Sequence, residues 1–530
     1  MTITTFFFFC YVAVLLLLYY LVPKRLQWII LLMGSIGFYA SQNVKSLIFL
    51  FAAILIDWSF GLWIQHFANR QATELAAGDL DREAKKQIKD AYKKKKRTIM
   101  RWGVLLLLLL LFVMKYTNFT LENVNRLAAA FSFDFSAPKL NILLPLGISF
   151  YTFQSIGYLV DLSKDKIKAE RNIFRFALFI AFFPQITQGP IGRYSELAPQ
   201  LNSEHRFEFR NLKFGFELFL FGMFKKLVLA DRIGIVVSNV LGDWQSQGSW
   251  ELILAIALYS IQIYADFSGC MDIVTGIAQM FGIELAQNFN HPNFSRTMPE
   301  FWRRWHASLG AWFKDYVFYP ISVSNWCQAI NRRCRKVFGP EAGRIISGII
   351  PIYAVWFATG IWHGASWKFI MWGVYHGTLI ALNLIFAPLG EKLTDRLHID
   401  RERFSFRLYQ MIKTYILCMI GRVFFYMSDL KEAIGVFGRI LRYNDPWVLI
   451  NGELFTNLGV DGYDMVVIVL SIVILWAAGV MQERFKIREK LEEQGLLFRW
   501  IIVFAAIFIV LIYGQYGQGF DAADFLYKDF

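Results

Sequence analysis

Cysteine is scarce and scattered, with five in 530 residues: Cys10, Cys270, Cys327, Cys334 and Cys418. Cys327 and Cys334 lie seven apart with no histidine at ligand spacing, so neither a disulfide framework nor a zinc site is expected and no metal is assigned. No internal repeat of fixed period is present, which argues against a solenoid. The net charge is +14, yet the motifs of nucleic-acid-binding folds are missing. The basic residues fall mainly between apolar runs, as the positive-inside rule places them, so no nucleic-acid partner is expected. The first apolar run, ITTFFFFCYVAVLLLLYYLV, lacks a basic leading region and a small-residue cleavage site. It reads as a retained first span, not a cleaved signal peptide.

What the chain has in excess is apolar surface: 56% hydrophobic residues, 52 Phe, 17 Trp and a mean hydropathy of +0.40. Repeated apolar runs of span length indicate an all-α polytopic membrane protein, with the lipid bilayer as its first partner. Candidate spans cover residues 3–22, 26–42, 45–65, 102–118, 139–160, 172–189, 213–232, 250–268, 345–363, 367–388, 409–427, 463–481 and 499–514. Some are interrupted by Gly and Pro, as at PLGISFYTFQ and FFPQITQGPIG. Irregular backbone at membrane depth survives only where protein or a wet cavity surrounds it, so broken or re-entrant helices around an enclosed chamber are expected. Residues 1–514 read as one transmembrane domain and 515–530 as an extracytoplasmic tail. The basic stretches 66–101 (with KKQIKDAYKKKKR), 161–171 and 331–344 are expected on the cytoplasmic side, the first as a loop whose mixed polarity suits a surface helix.

TGIWHGASW, residues 359–367, puts an ionisable residue inside a span. Such a residue is expensive there and is a functional hypothesis by default; the competing reading is a core histidine bonded to a neighbouring helix. Gly360 and Gly364 flank His363 and permit close approach of a backbone or a ligand. Trp362 and Trp367 would supply apolar walls, and Ser366 a polar group. An imidazole deprived of water is expected to be neutral and able to accept a proton, as a general base for a hydroxyl nucleophile must.

TMPEFWRRWHASLGAWFKDYVFYP, residues 297–320, opens with a capping box of Thr297 and Glu300. Phe301, Trp305, Leu309 and Trp312 recur at helical spacing, predicting an amphipathic helix at the cytoplasmic boundary. Arg303 and Arg304, with Lys314 and the neighbouring Trp302, are candidates for holding a phosphorylated donor, against plain interfacial anchoring. His306 by itself reads as packing. In YADFSGCMDIVTGIAQMFGI (264–283), Asp266, Ser268 and Asp272 lie in or beside a span. Ser268 and Asp272, one turn apart, would orient a base or line a polar entry, or simply satisfy a helix end.

Three blocks in order resemble the membrane-bound O-acyltransferase (MBOAT) family. They are PLGISFYTFQSIGYLVD with FFPQITQGPIGRY, then DFSGCMDIVTGIAQMFGIELAQNFNHPNFSRTMPEFWRRWHASLGAWFKDYVFYPI, then GIWHGASWKFIMWGVYHG. The branch they are similar to contains bacterial alginate and peptidoglycan O-acetylation proteins and the D-alanyl transferase of teichoic acids. The resemblance implies a helical bundle around a funnel, with an acyl donor entering from the cytoplasm. It implies that His363 is the base at the funnel's neck and His306 its partner. PISVSN (320–325) departs from the PLGG turn that relatives often carry.

The resemblance extends to the tail. FLYKDF, residues 525–530, suits an interfacial aromatic belt. Yet F-x-Y-x-x-F is similar to the tail of the helper peptide in teichoic-acid D-alanylation, which implies Tyr527 as an acyl carrier. A phenol ester is more activated than an alkyl ester, so a two-step covalent relay is chemically sound. The resulting expectation is an enzyme of the bacterial cytoplasmic (inner) membrane with no tightly bound cofactor. Its donor would be acetyl-CoA or an acylated carrier protein, and an extracytoplasmic acyltransferase would be its partner. D-alanyl transfer is the near alternative, and a transporter of polysaccharide or lipid-linked sugar the distant one.

Overall fold

The computed structural model describes residues 3–77, 80–451 and 458–516. Tyr527 and the FLYKDF motif lie outside the described residues. Secondary structure is helical throughout, with no strand among the described residues beyond one isolated bridge between Phe289 and Trp305. Among the described residues eight helices are long and apolar enough to cross a membrane, so the chain is an all-α, multi-pass membrane protein. Thirteen apolar runs were expected as spans. Of the other five, runs 3–22 and 26–42 form the unbroken 16-residue helices Phe6–Leu21 and Gln27–Gln42, and three are interrupted by polar or helix-breaking residues. Run 139–160 yields a helix only from Ile148 to Ser163, run 172–189 splits into Ile173–Ala181 and Phe183–Ile186, and run 213–232 passes through π-helical Phe224–Ala230.

The chain divides into two compact units, Met1–Gly215 with Val274–Ala286, and Phe216–Ile273 with Gln287–Phe530. The first is organised around helix Ile148–Ser163, which is buried on nearly every face and packs against Leu47–Ala76 and Arg82–Lys115. Its start is set by Gly147, left-handed at φ 72°, where a Cβ would sit 2.0 Å from the Ile186 carbonyl oxygen. Only glycine meets both demands. The basic 66–101 segment, whose mixed polarity suited a surface helix, is largely helical. Apart from a short connection it is the end of Leu47–Ala76 and the first half of Arg82–Lys115. At 1.5 Å per residue this 34-residue helix runs for about 51 Å, well beyond a hydrocarbon core of roughly 30 Å. Its polar half therefore projects as a handle. Lys96, buried within that handle, pairs with Asp165 at 2.5 Å and donates to Gln71 Oε1 at 2.9 Å.

The second unit carries six of the eight long apolar helices wholly or in large part. Helices Pro340–His363 and Trp367–Arg396 form its tightest pair. A Cβ on Gly360 would fall 2.5 Å from the Phe369 carbonyl oxygen, and one on Gly373 2.3 Å from that of Trp356. These glycines let the two backbones touch, which brings the end of one helix and the middle of the other together.

Candidate active site

His363 is the last residue of its helix and is 2% exposed. Its ring meets those of Trp362 (4.9 Å), Trp372 (4.8 Å) and Phe425 (5.5 Å), all near edge-to-face. Trp367, also expected to wall the ring, is 51% exposed. Gly364 leaves room for the Phe369 ring, 2.3 Å from where a Cβ would sit, so the framing glycines serve packing between protein groups. Ser366 is half-buried at the entry to the next helix, where its backbone N–H donates to the Gly364 carbonyl at 2.9 Å; its hydroxyl forms no cap.

The 297–320 helix, expected to be continuous, is broken at its centre. Met298–Arg304 ends, Trp305 is extended, His306 is left-handed at φ 46°, and Ala307–Phe313 begins a new helix. The cause is a segment distant in sequence. Asn290 N–H donates to the Arg304 carbonyl and Ala307 N–H to the Asn288 carbonyl, each at 2.9 Å, on either side of the Phe289–Trp305 bridge. Pairing with residues 288–290 outweighs the local helical signal. A positive φ outside glycine is a sparsely populated state held by its surroundings, and such states cluster at functional positions. The Thr297 cap itself forms, accepting from Glu300 N–H, while the Glu300 carboxylate accepts from Arg296 N–H at 2.9 Å.

This break fixes the protonation pattern of His306, which is 3% exposed. Asn288 Oδ1 accepts from Ser308 N–H at 3.2 Å and from Ser308 Oγ at 2.8 Å. A backbone N–H can only donate, so that atom is the amide oxygen. His306 Nδ1, 2.9 Å from it, therefore carries the hydrogen. In the neutral ring the lone pair then sits on Nε2, which is buried with no hydrogen-bond partner among the described residues. Burial drives the His306 pKa down to about 3, so the ring is neutral across the physiological range.

Further members come from parts of the chain that the sequence did not connect. His376, 2% exposed, lies on Trp367–Arg396 and stands 5.0 Å from Trp372, ring to ring. Trp302 packs against His376 (4.8 Å), Trp356 (4.6 Å) and Trp372 (5.5 Å), with its indole Nε1 buried and lacking a hydrogen-bond partner among the described residues. It belongs to the aromatic shell. His306 reaches the same shell through Trp362 at 5.9 Å. Three buried histidines are thus linked through tryptophans within the second unit. His376 had a signal, the GVYHG at the end of the third block; His306, His363 and Asn288 are joined only by tertiary pairing.

The remaining candidates fall elsewhere. Arg304 is engaged by Glu300 (2.9 Å) and Glu483 (2.5 Å), whereas Arg303 is exposed. Asp272 pairs with Lys225 at 2.6 Å, and Ser268 Oγ accepts from the same ammonium at 3.0 Å. Neither orients a histidine ring. Next to them Lys226 bridges Asp231 (2.8 Å) and Asp266 (2.7 Å), all nearly fully buried. Lys226→Met is expected to destabilise the protein by about 3–5 kcal/mol, because two buried carboxylates lose their counter-charge. The thermal midpoint in detergent reads this directly; an unchanged midpoint would show the network to be energetically neutral.

Comparison with known proteins fits this arrangement. Residues 84–329, which include His306, match the MBOAT, membrane-bound O-acyltransferase family. The chain is 30% identical over 471 residues to the probable alginate O-acetylase AlgI of Azotobacter vinelandii, covering 87% of this chain and 81% of that protein. Against the peptidoglycan O-acetyltransferase of Helicobacter pylori it is 28% identical over 435 residues, 77% of this chain and 72% of that one. Similarity to the teichoic acid D-alanyltransferase of Bacillus subtilis is 26% over 270 residues, 48% and 62%. The chain belongs to the membrane-bound O-acyltransferase family and is an O-acyltransferase.

Proposed function

We propose that this enzyme moves an acetyl group from a cytoplasmic thioester, acetyl-CoA, across the bacterial inner membrane toward an exported polysaccharide or peptidoglycan. The observation that carries the reading is the buried histidine pair of the second unit. His306 holds a defined proton-accepting nitrogen, and His363 is enclosed in the same aromatic shell. His363 removes the proton of the attacking hydroxyl, and His306 is the second proton acceptor on the donor side. The donor is a substrate, so no tightly bound cofactor is required. Exposed Arg303 is the cation proposed to meet the donor phosphates. Tyr527 is the first acyl acceptor and hands the group to a separate extracytoplasmic transferase. The sequence similarity to alginate and peptidoglycan acetylases over most of the chain supports the acetyl assignment.

Transfer from an acylated carrier protein is the second reading. It is favoured by the exposed basic handle at the start of Arg82–Lys115, which suits an acidic docking partner,. Purified protein should be incubated with acetyl-labelled CoA and, separately, with an acyl carrier bearing D-alanine. Label on the chain from the first donor alone supports acetyl transfer; label from the second alone moves the donor to the carrier. No label from either, with folded protein, would refute acyl transfer through the chain.

A further inference from the structure

The buried cations of the second unit follow a pattern with one exception. Lys225 (4% exposed) pairs with Asp272, Lys226 (1%) with Asp231 and Asp266, and Arg232 (7%) with Asp464. Arg422, 6% exposed, has neither an ion pair nor a hydrogen bond among the described residues. Its guanidinium lies 4.4 Å over the ring of Trp305, the residue before His306. A lone buried charge is costly, and a ring face compensates only a small part of that cost. A fold that neutralises the other buried cations of this unit has, among the described residues, left this one without a counter-ion.

Its position is specific. Arg422 lies on helix Phe404–Tyr426. The preceding Gly421 packs against His376, whose Nε2 lies 2.5 Å from where a Cβ on that glycine would sit. Phe425, three residues on and so on the same helical face, touches the His363 ring at 5.5 Å. The cation therefore shares a face with a residue lining one candidate base and stacks on the neighbour of the other. Trp302 Nε1–H, a second unused donor, opens from the same shell.

We propose that Arg422 is the anion-stabilising group of the transfer, held for the negative charge that develops on the acyl carbonyl oxygen. This rests on the acyltransfer reading. The attacking hydroxyl oxygen forms a bond to the thioester carbonyl carbon while its proton passes to a histidine, and the carbonyl π pair moves onto oxygen. That oxyanion is the missing counter-charge. Collapse restores the carbonyl, breaks the carbon–sulfur bond and returns the proton to the departing thiolate. Such a charge is most effective where water is excluded and no reorganisation is needed. A phosphate of the donor is a poorer match. It lies a full pantetheine arm from the thioester, so a phosphate held at Arg422 would carry the reacting carbon past both histidines.

The test uses the full-length protein with Arg422→Met and Arg422→Lys. In Arg422→Met, kcat for labelled acyl transfer should fall about 10²–10³-fold. Binding of a non-transferable thioether donor analogue should change by less than about threefold, and the thermal midpoint should hold or rise, since an uncompensated charge has been removed. Arg422→Lys should recover part of kcat. Turnover within about threefold of wild type in Arg422→Met would overturn the proposal. So would a loss of analogue binding that matches the loss of turnover, which would mark a ground-state phosphate site. A lowered midpoint with activity tracking the folded fraction would likewise overturn it, as a structural role. Wild-type protein inactive with both donor classes would instead refute the acyltransfer reading beneath it.

Discussion

His363→Ala is expected to cut acyl transfer by about 10²–10⁴-fold, the range a positioned general base contributes. The ring is enclosed by Trp362, Trp372 and Phe425, so alanine also leaves a cavity among aromatic side chains, and some loss of stability will accompany the loss of activity. His363→Phe separates the two effects, because it restores aromatic volume without a proton-accepting nitrogen. Its thermal midpoint should lie close to wild type while its transfer rate stays as low as that of the alanine variant. Retention of more than about a tenth of wild-type transfer in the phenylalanine variant would remove His363 as the base.

His306 differs through pH. Its ring takes a proton only near pH 3, against an ordinary value of 6.5, because burial penalises the imidazolium. The unfolded chain binds that proton at about 6.5 and the folded chain does not. The contribution is therefore fully favourable above 6.5 and is lost as the pH falls from there toward 3. Transfer should accordingly show no acid limb from His306 near pH 6.5. Removing Asn288 should change this profile, since its carbonyl fixes the hydrogen on Nδ1.

Much of the membrane domain was legible in the sequence because apolar length decides spans. The eight long helices coincide with apolar runs, and the Gly- and Pro-interrupted runs are short or broken helices, as irregular backbone at depth implies. The broken 297–320 helix was not legible. Its capping box and 3–4 spacing are genuine local helix signals, and a strand-like pairing with residues 288–290 overrides them. The partners of polar residues were not legible for a similar reason. Ser268 and Asp272 sit one turn apart as a helix requires, but their partner is Lys225, some forty residues earlier. His376 and Arg422 acquire meaning only once Gly360, Gly373 and Gly421 have allowed neighbouring side chains and backbones to close on them. Periodicity reports which face is buried; it does not report against what.

Tyr527→Phe is expected to abolish a stable acyl-protein species while leaving expression, thermal midpoint and donor binding unchanged. The chain before the tail is anchored: Gln515 N–H donates to the Leu227 carbonyl at 3.0 Å, and Arg232 donates to the Tyr513 carbonyl at 2.6 Å. Leu227 belongs to the π-helical segment. From Tyr516 to Tyr527 there are eleven steps, a span of at most roughly 36–40 Å when extended. Tail length therefore does not prevent the phenol from reaching a site in the membrane. A tyrosine ester has a phenol leaving group with pKa near ~10, well below that of an alkyl alcohol, so it holds the acyl group yet yields it to a sugar hydroxyl. Mass spectrometry of the C-terminal peptide after exposure to acetyl-CoA should show one acetyl group on Tyr527, released by hydroxylamine as an ester would be. Undiminished label in Tyr527→Phe would eliminate the tyrosine relay and leave direct transfer to an external acceptor, with His363 and His306 in the same positions.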